Sequence, residues 1–224
     1  MGRGGLPILA EIGGPAAVAS PVWSLRRDDY EQLAALRDRI EPSGAVLVTG
    51  ADEAAGTLAI ALAGAACAGG LRTALLECDL ERPRLAVDLG LSQSPGLHEY
   101  LRWEATPEQL LQPLALGGSA AAAVPAPLVC ISAGRQASDA RTLLGLGSFR
   151  HMAAKLRHAY DLVVLAGPAL GSEPAVLEAV AAQAGTVLAA LSPAQASRRG
   201  RRAAAAAVRR LPAPPLGAVL VGAG

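Results

Sequence analysis

The residues with most chemical promise sit between an apolar run and a helix-like stretch. Ala45-Val46-Leu47-Val48-Thr49-Gly50 reads as a strand, and Gly56 to about Ala68 as an apolar helix. Between them lie Ala51, Asp52, Glu53, Ala54 and Ala55, read as a small-residue loop. Strand, loop and helix in that order are the layout of a phosphate-binding P-loop, G-x-x-x-x-G-K-[ST]. There the backbone amides cradle phosphates, the Lys reaches the β- and γ-phosphates and the hydroxyl holds Mg²⁺. With Gly56 as the second glycine, Ala51 takes the first glycine's place, Thr57 the lysine's and Leu58 the hydroxyl's. Asp52 and Glu53 add two negative charges where a triphosphate would lie. The layout is present and its chemistry is not. A glycine that opens a helix still offers amides and a positive helix end to an anion; the ordinary reading is a structural turn.

A second acidic stretch follows. Thr73-Ala74-Leu75-Leu76-Glu77-Cys78-Asp79 reads as a strand that ends in two carboxylates. Strand, helix and adjacent strand make a βαβ unit, which implies a parallel sheet. Ligand sites of such sheets lie beyond the carboxyl ends of the strands, which puts Glu77 and Asp79 beside the loop. Two carboxylates there suit a metal ion. Without a lysine or phosphates, the ordinary reading is solvated strand-end acids, with Asp79 capping a helix or pairing with Arg82.

The elements that must position these groups can be read from periodicity. Residues 1–43 form a lead-in: an extended segment over Leu6–Ile12, then helical spacing from Asp28 to Ile40 with Leu33, Leu36 and Ile40 inward. Residues 44–224 form an α/β domain. Its further predicted helices cover Gly96 to Trp103, Thr106 to Leu111, Asp139 to Ala159, Pro174 to Ala182 and Ser197 to Arg210. Strands are predicted over Leu128–Ile131, Asp161–Leu165, Thr186–Leu191 and Leu216–Val221, and an Ala/Pro-rich surface loop over Gly117–Pro127. The fold expected is a doubly wound, mostly parallel sheet with helices on both faces.

Composition narrows the functions. The 224 residues are 52% hydrophobic and 17% charged, which supports a substantial core. A net charge of +1 and 3% aromatic residues give neither the electrostatics nor the stacking platforms of a nucleic-acid binder. Lys155 is the single lysine against nineteen arginines, so no other loop supplies a P-loop lysine. Cys67, Cys78 and Cys130 match no zinc or redox spacing and read as buried thiols. His98, His151 and His158 are scattered and read as surface or helix-face residues, and no motif supports Ser-His-Asp catalysis. The final helix carries Arg198, Arg199, Arg201, Arg202, Arg209 and Arg210 over about half its circumference, a partner or anionic-membrane surface or else a solvated face.

Several weak matches in order resemble the bacterial tyrosine kinases of capsule and exopolysaccharide synthesis, within the septum-site and partition ATPase group of P-loop proteins. Leu6–Ile12 is similar to their juxtamembrane lead-in. Leu75-Leu76-Glu77-Cys78-Asp79-Leu80-Glu81-Arg82-Pro83 is similar to their apolar run followed by D-x-D-L-R-R-P. Pro95–Leu101, Ala133-Gly134, Leu143-Leu144 and Phe149 fall in matching order. Tyr160-Asp161-Leu162-Val163-Val164-Leu165-Ala166-Gly167-Pro168 is similar to Y-D-hydrophobic-D-T-P-P, and Leu216–Leu220 to the last strand.

The departures fall where the chemistry would be. Thr57 and Leu58 replace the lysine and the hydroxyl, Glu77 replaces the first Asp of the second motif, and only Asp79 is kept. Ala166, followed by Gly167, replaces the Asp that binds Mg²⁺ or positions water in the third motif. The resemblance therefore implies a degenerate kinase-like protein with a vestigial nucleotide loop, no catalytic residue and no bound metal. Its cofactor is expected to be none, with ATP and Mg²⁺ the cofactors if the loop still works. The implied role is a non-catalytic regulatory or binding partner in polysaccharide biosynthesis and export. The rival is an active tyrosine autokinase, or an ATPase of the septum-site kind, with an atypical loop. Implied partners are a membrane polysaccharide co-polymerase, an active kinase paralogue or further copies of the chain, with no nucleic acid. The expected location is cytoplasmic, peripheral at the inner face of the plasma membrane.

Overall fold

In the computed structural model the chain runs β1 (Ile8–Ile12), β2 (Ala16–Val18), β3 (Val22–Ser24), α1 (Arg27–Arg37), β4 (Gly44–Gly50) and α2 (Asp52–Ala68). It continues through β5 (Thr73–Glu77), α3 (Leu85–Leu89), α4 (Leu97–Leu101), α5 (Pro107–Leu110), β6 (Gln112–Pro113) and β7 (Leu128–Ile131). Last come α6 (Ala140–Leu144), α7 (Gly147–Ala159), β8 (Leu162–Ala166), α8 (Pro174–Ala181), β9 (Thr186–Leu191), α9 (Arg198–Val208) and β10 (Pro215–Val221). The structure describes residues 5–13, 16–18, 22–24, 26–40, 44–114 and 127–222.

Eight strands form one sheet in the order β1-β10-β9-β4-β8-β5-β7-β6, and β2 and β3 form a separate antiparallel pair. Every neighbour in the large sheet is parallel except β6 against β7. The central strands are uninterrupted apolar runs because both their faces are covered: all of β5 and β8 is buried. Two cores result. One face packs Leu47, Leu76, Leu101, Phe149, Leu177 and Val208, so α4 to α9 lie there. The other packs Val46, Leu58, Leu62, Leu75, Val164 and Leu33, so α1 and α2 lie there. The expected doubly wound sheet is the observed one.

The lead-in contributes to this sheet. β1 pairs in parallel with β10, Ile12 opposite Val221, and α1 buries Leu33 and Leu36 on the α2 side. Asp29 ties the two segments together: its carboxylate accepts from the Gly13 amide (3.2 Å) and from Arg26 Nε (2.9 Å).

Three features depart from the periodicity, and one expectation falls outside the described residues. The single helix expected from Asp139 to Ala159 is two, α6 and α7, parted by Gly145 and an extended Leu146. The short elements α3, β6 and the β2–β3 pair carry too little period to be read. The loop expected over 117–127 lies outside the described residues except at Pro127. Finally, α2 begins at Asp52, not at Gly56.

The junction between β4 and α2 is set by close approach. A Cβ built on Gly50 would lie 2.0 Å from the Ala190 carbonyl oxygen and 2.8 Å from its nitrogen, while the Ala51 amide donates to that same oxygen at 3.1 Å. Only glycine lets β4 lie this close to β9 at its end. Gly50→Ala should cost about 3 kcal/mol, the upper end of the usual range for overpacking, because the atoms met are backbone. Chemical denaturation of the variant checks this; a midpoint equal to the parent's would show that the junction yields.

Candidate functional site

The carboxyl ends of β4, β5 and β8 converge on a cavity of about 370 Å³. Gly56 and Glu53 of α2, Glu77 and Asp79 after β5, Arg82, Arg84, Leu85 and Asp88, and Ala166, Gly167 and Ala169 after β8 line it. The sequence reading placed its candidate residues at this edge, and six of those twelve, Glu53, Gly56, Glu77, Asp79, Ala166 and Gly167, line the cavity.

The first of those candidates are not a loop. Ala51 is the extended residue before α2, and Asp52, Glu53, Ala54 and Ala55 form the helix's first turn. The Ala55 amide donates to the Ala51 carbonyl at 3.0 Å. In a phosphate cradle the amides of this stretch face the ligand; here the helical ladder takes up the later ones. The expectation of a strand–loop–helix with Gly56 at the helix start is therefore corrected, and Gly56 sits in the second turn. The cause is local: two carboxylic residues favour the positive end of a helix, and two alanines follow with the best helical propensity. The Asp52 side chain lies outside what the structure describes.

Thr57 is half-buried, and Leu58 is fully buried in the core against the sheet. Leu58 offers no oxygen to a magnesium ion, and Ala166, 6% exposed between β4 and β5, offers none at the third motif. The Cys78 amide donates to the Ala166 carbonyl (2.8 Å) and the Gly167 amide to Val48 (2.9 Å), so this segment is spent on the sheet.

Glu77 is not a solvated strand-end acid. It is 3% exposed. One carboxylate oxygen accepts from the amides of Arg84 (2.6 Å) and Leu85 (2.8 Å), the other from Ala133 (2.8 Å). Burial pushes its carboxyl above the ordinary range; the three amides oppose that, and the nearby Asp79 charge adds to it. With its oxygens facing amides, Glu77 organises backbone rather than a metal. Asp79 serves its own loop, accepting from the Arg82 amide at 3.0 Å with the Arg82 guanidinium 3.6 Å away. Among the described residues no cluster of three or more His, Cys, Asp or Glu is placed to hold a metal ion.

Arg84, fixed by the amide it gives to Glu77, reaches across the cavity to Glu53 (3.0 Å) and lies 3.9 Å from Asp88. Asp88 is raised by burial, lowered by Arg84 and raised again by Glu53. The lining thus holds the carboxylates of Glu53, Glu77, Asp79 and Asp88 against the guanidiniums of Arg82 and Arg84. A triphosphate would meet an excess of negative charge, with neither lysine nor hydroxyl to offset it. The residues present do not fit a magnesium-bound nucleotide held in the P-loop manner.

Sequence reading missed a second polar cluster at the end of β7. His151 and His158 are exposed as expected, but His98 is 7% exposed. Arg102 Nε donates to His98 Nε2 (3.0 Å), which leaves the ring proton on Nδ1, 3.4 Å from Glu99. Glu99 accepts from the amides of Gly96 (2.8 Å) and Arg135 (3.1 Å) and from Arg135 Nε (2.9 Å). Arg135 also holds Glu104, and Arg102 holds Asp139 at 2.6 Å. Gly134, at φ +85°, lets the chain pass Glu99: a Cβ there would meet the carboxylate at 2.1 Å. Burial alone would raise the Glu99 carboxyl; the amides and Arg135 outweigh it and lower the group to about 2. The three cysteines are buried and form no disulfide, and burial pushes their thiols up.

Two predictions follow from these carboxylates. Glu77→Ala leaves three inward-facing amides without acceptors and should cost about 3 kcal/mol or more; urea denaturation would show a loss below about 1 kcal/mol if water substitutes. For Glu99, a folded-state value below the unfolded one means stability that is present above about pH 4.5 and lost as pH falls toward about 2. Glu99→Gln should lose about 2 kcal/mol at neutral pH and show a shallower fall over that acid range; parallel curves for parent and variant would remove the assignment.

The overall arrangement is one already seen in solved structures. The kinase domain of the Escherichia coli tyrosine kinase ETK superposes with a TM-score of 0.78 at 18% identity, over 97% of this chain and 91% of that one. The BceF tyrosine kinase domain gives 0.76 at 19%, over 98% and 94%. The septum site-determining protein MinD of Pyrococcus horikoshii, complexed with Mg-ADP, gives 0.58 at 15%, over 79% and 68%. No protein-family model matches the chain, and no curated protein matches it. The chain has the P-loop NTPase fold in the form that bacterial tyrosine kinase domains share.

Proposed function

We propose that this chain is a kinase-like protein that does not use nucleotide. Its role is that of a regulatory or binding partner in polysaccharide biosynthesis and export, at the inner face of the plasma membrane. The observation that carries this is the start of α2 at Asp52, together with the burial of Leu58. The Ala55 amide, which a phosphate cradle would turn to its ligand, goes to the Ala51 carbonyl, and the side chain at the magnesium position faces the core. Ala166 and the Glu53–Arg84 pair across the cavity support the same reading. The likeness to tyrosine kinase domains, and the motif order that resembles the exopolysaccharide kinases, support the setting. The partners that fit are a membrane co-polymerase, an active kinase paralogue or a second copy of the chain, any of which can be bound without phosphoryl transfer.

The rival, an active autokinase or ATPase, requires a cation near position 57 or an acid at 166, and the chain has Thr57 and Ala166. Nucleotide titration separates the two. Calorimetry with ATP and ADP, with and without Mg²⁺, should show no binding heat, and the melting temperature should stay flat. A genuine ligand at about a hundredfold its Kd would add about 3 kcal/mol and raise Tm by roughly 8 °C. Micromolar affinity for either nucleotide would overturn the proposal.

A further inference from the structure

We infer that the exposed arginine face of α9 docks the protein on an anionic lipid bilayer. The inference rests on the proposed function only for the setting, a membrane surface within reach. The surface itself is read from charge and burial.

Ser197 caps α9, its hydroxyl accepting from the Gly200 amide at 3.1 Å. Ala204, Ala205 and Val208 are buried and hold the helix on the sheet. The opposite arc exposes Arg198, Arg199, Arg202, Arg209 and Arg210, with Ala203 and Ala206 among them. From Arg198 to Arg210 the row extends about 18 Å at the helical rise. Among the described residues no carboxylate lies within ion-pair distance of the guanidiniums of Arg198, Arg199, Arg202 and Arg210, whereas Arg72, Arg84, Arg102, Arg135 and Arg141 each hold one. The asymmetry extends beyond the helix. Residues 179–224 carry six arginines and no Asp or Glu, a formal +6; the preceding 178 residues carry fourteen Lys and Arg against nineteen Asp and Glu, a formal −5.

That distribution selects the occupant. A protein partner is normally anchored by aromatic or large apolar residues in a desolvated centre, and this arc has none. A nucleic acid long enough to pass beyond the helix would meet the acidic remainder of the molecule. A flat anionic surface touches the basic face alone, repels the rest outward, and asks for no shape complementarity. Arginine pairs with lipid phosphates through two parallel hydrogen bonds. With no large apolar side chain on the arc, the contact is electrostatic and lies at the headgroups rather than in the acyl layer.

The test is co-sedimentation of the full chain with phosphatidylcholine vesicles, with and without phosphatidylglycerol. The parent should bind only the anionic vesicles, and binding should fall as salt rises through the physiological range. Arg198→Glu/Arg199→Glu/Arg202→Glu should weaken binding by at least about tenfold, with an unchanged circular dichroism spectrum. A control, Arg27→Glu/Arg39→Glu/Arg150→Glu, makes the same change in net charge elsewhere and should bind nearly as the parent does. The inference fails if the parent ignores anionic vesicles, if the α9 variant binds like the parent, or if the control loses as much. It fails too if duplex DNA or a second copy of the chain is bound through this face in place of the vesicles. Nucleotide binding in the titration above would overturn the proposed function and leave this inference standing; absent vesicle binding would do the reverse.

Discussion

The carboxylate of Glu77 is the constraint on which the carboxyl edge of the sheet depends. It sits where β5 ends and gathers amides from two other places, the start of α3 and the residue chain after β7. Burying an ionised group is costly unless its lone pairs are satisfied, and three short amide contacts meet that requirement. The same contacts set the position of Arg84, because its own amide is one of the three. From there the guanidinium can reach Glu53 on α2. One buried acid thus determines which side chains face the cavity and which salt bridge crosses it.

The second determinant is where α2 begins. In a phosphate-binding loop the chain leaves its strand, circles an anion and only then turns helical, keeping its amides free for the ligand. Here the chain leaves β4 at Gly50, spends one residue in an extended conformation and is helical from Asp52. A carboxylate in the first turn satisfies the helix dipole in place of a phosphate. The acidic residues that look, in sequence, like repellents of a ligand are in the structure part of what winds the segment into a helix.

Most of the sheet was legible in the sequence because parallel strands covered on both faces must be unbroken apolar runs. β4, β5, β7, β8, β9 and β10 all obey that rule, and the edge segment over Leu6–Ile12 was visible by its composition. The start of α2 was misread, although its signal was present: Asp52-Glu53-Ala54-Ala55 is a good first helical turn when no P-loop frame is laid over it. The buried cluster of Glu99, His98, Arg102, Arg135 and Asp139 was not legible. Its partners come from segments 30 to 40 residues apart, and nothing in their local spacing announces that they meet. Glu77 failed for a related reason, since an acid at a strand end is normally solvated, and the amides that make its burial possible come from the start of α3 and from Ala133 beyond β7.

The charges of the molecule are sorted rather than mixed. Its acids gather around the cavity edge, in α1 and in the Glu99 cluster, and Asp29, Asp38, Glu53 and Glu99 are each paired with an arginine held within hydrogen-bond reach. The C-terminal stretch holds arginines without acids. Matched pairs at a surface contribute little to stability and little to long-range potential. Arginines gathered on one helix face, of which Arg198, Arg199, Arg202 and Arg210 have no carboxylate in ion-pair reach among the described residues, do the opposite: they cost self-repulsion in the folded state and project a field within a Debye length of the surface. If solvation were its only purpose, interspersed acids would serve the Ala-rich helix as well and relieve that repulsion. The absence of any Asp or Glu after Glu178 is therefore the feature that the fold itself does not require.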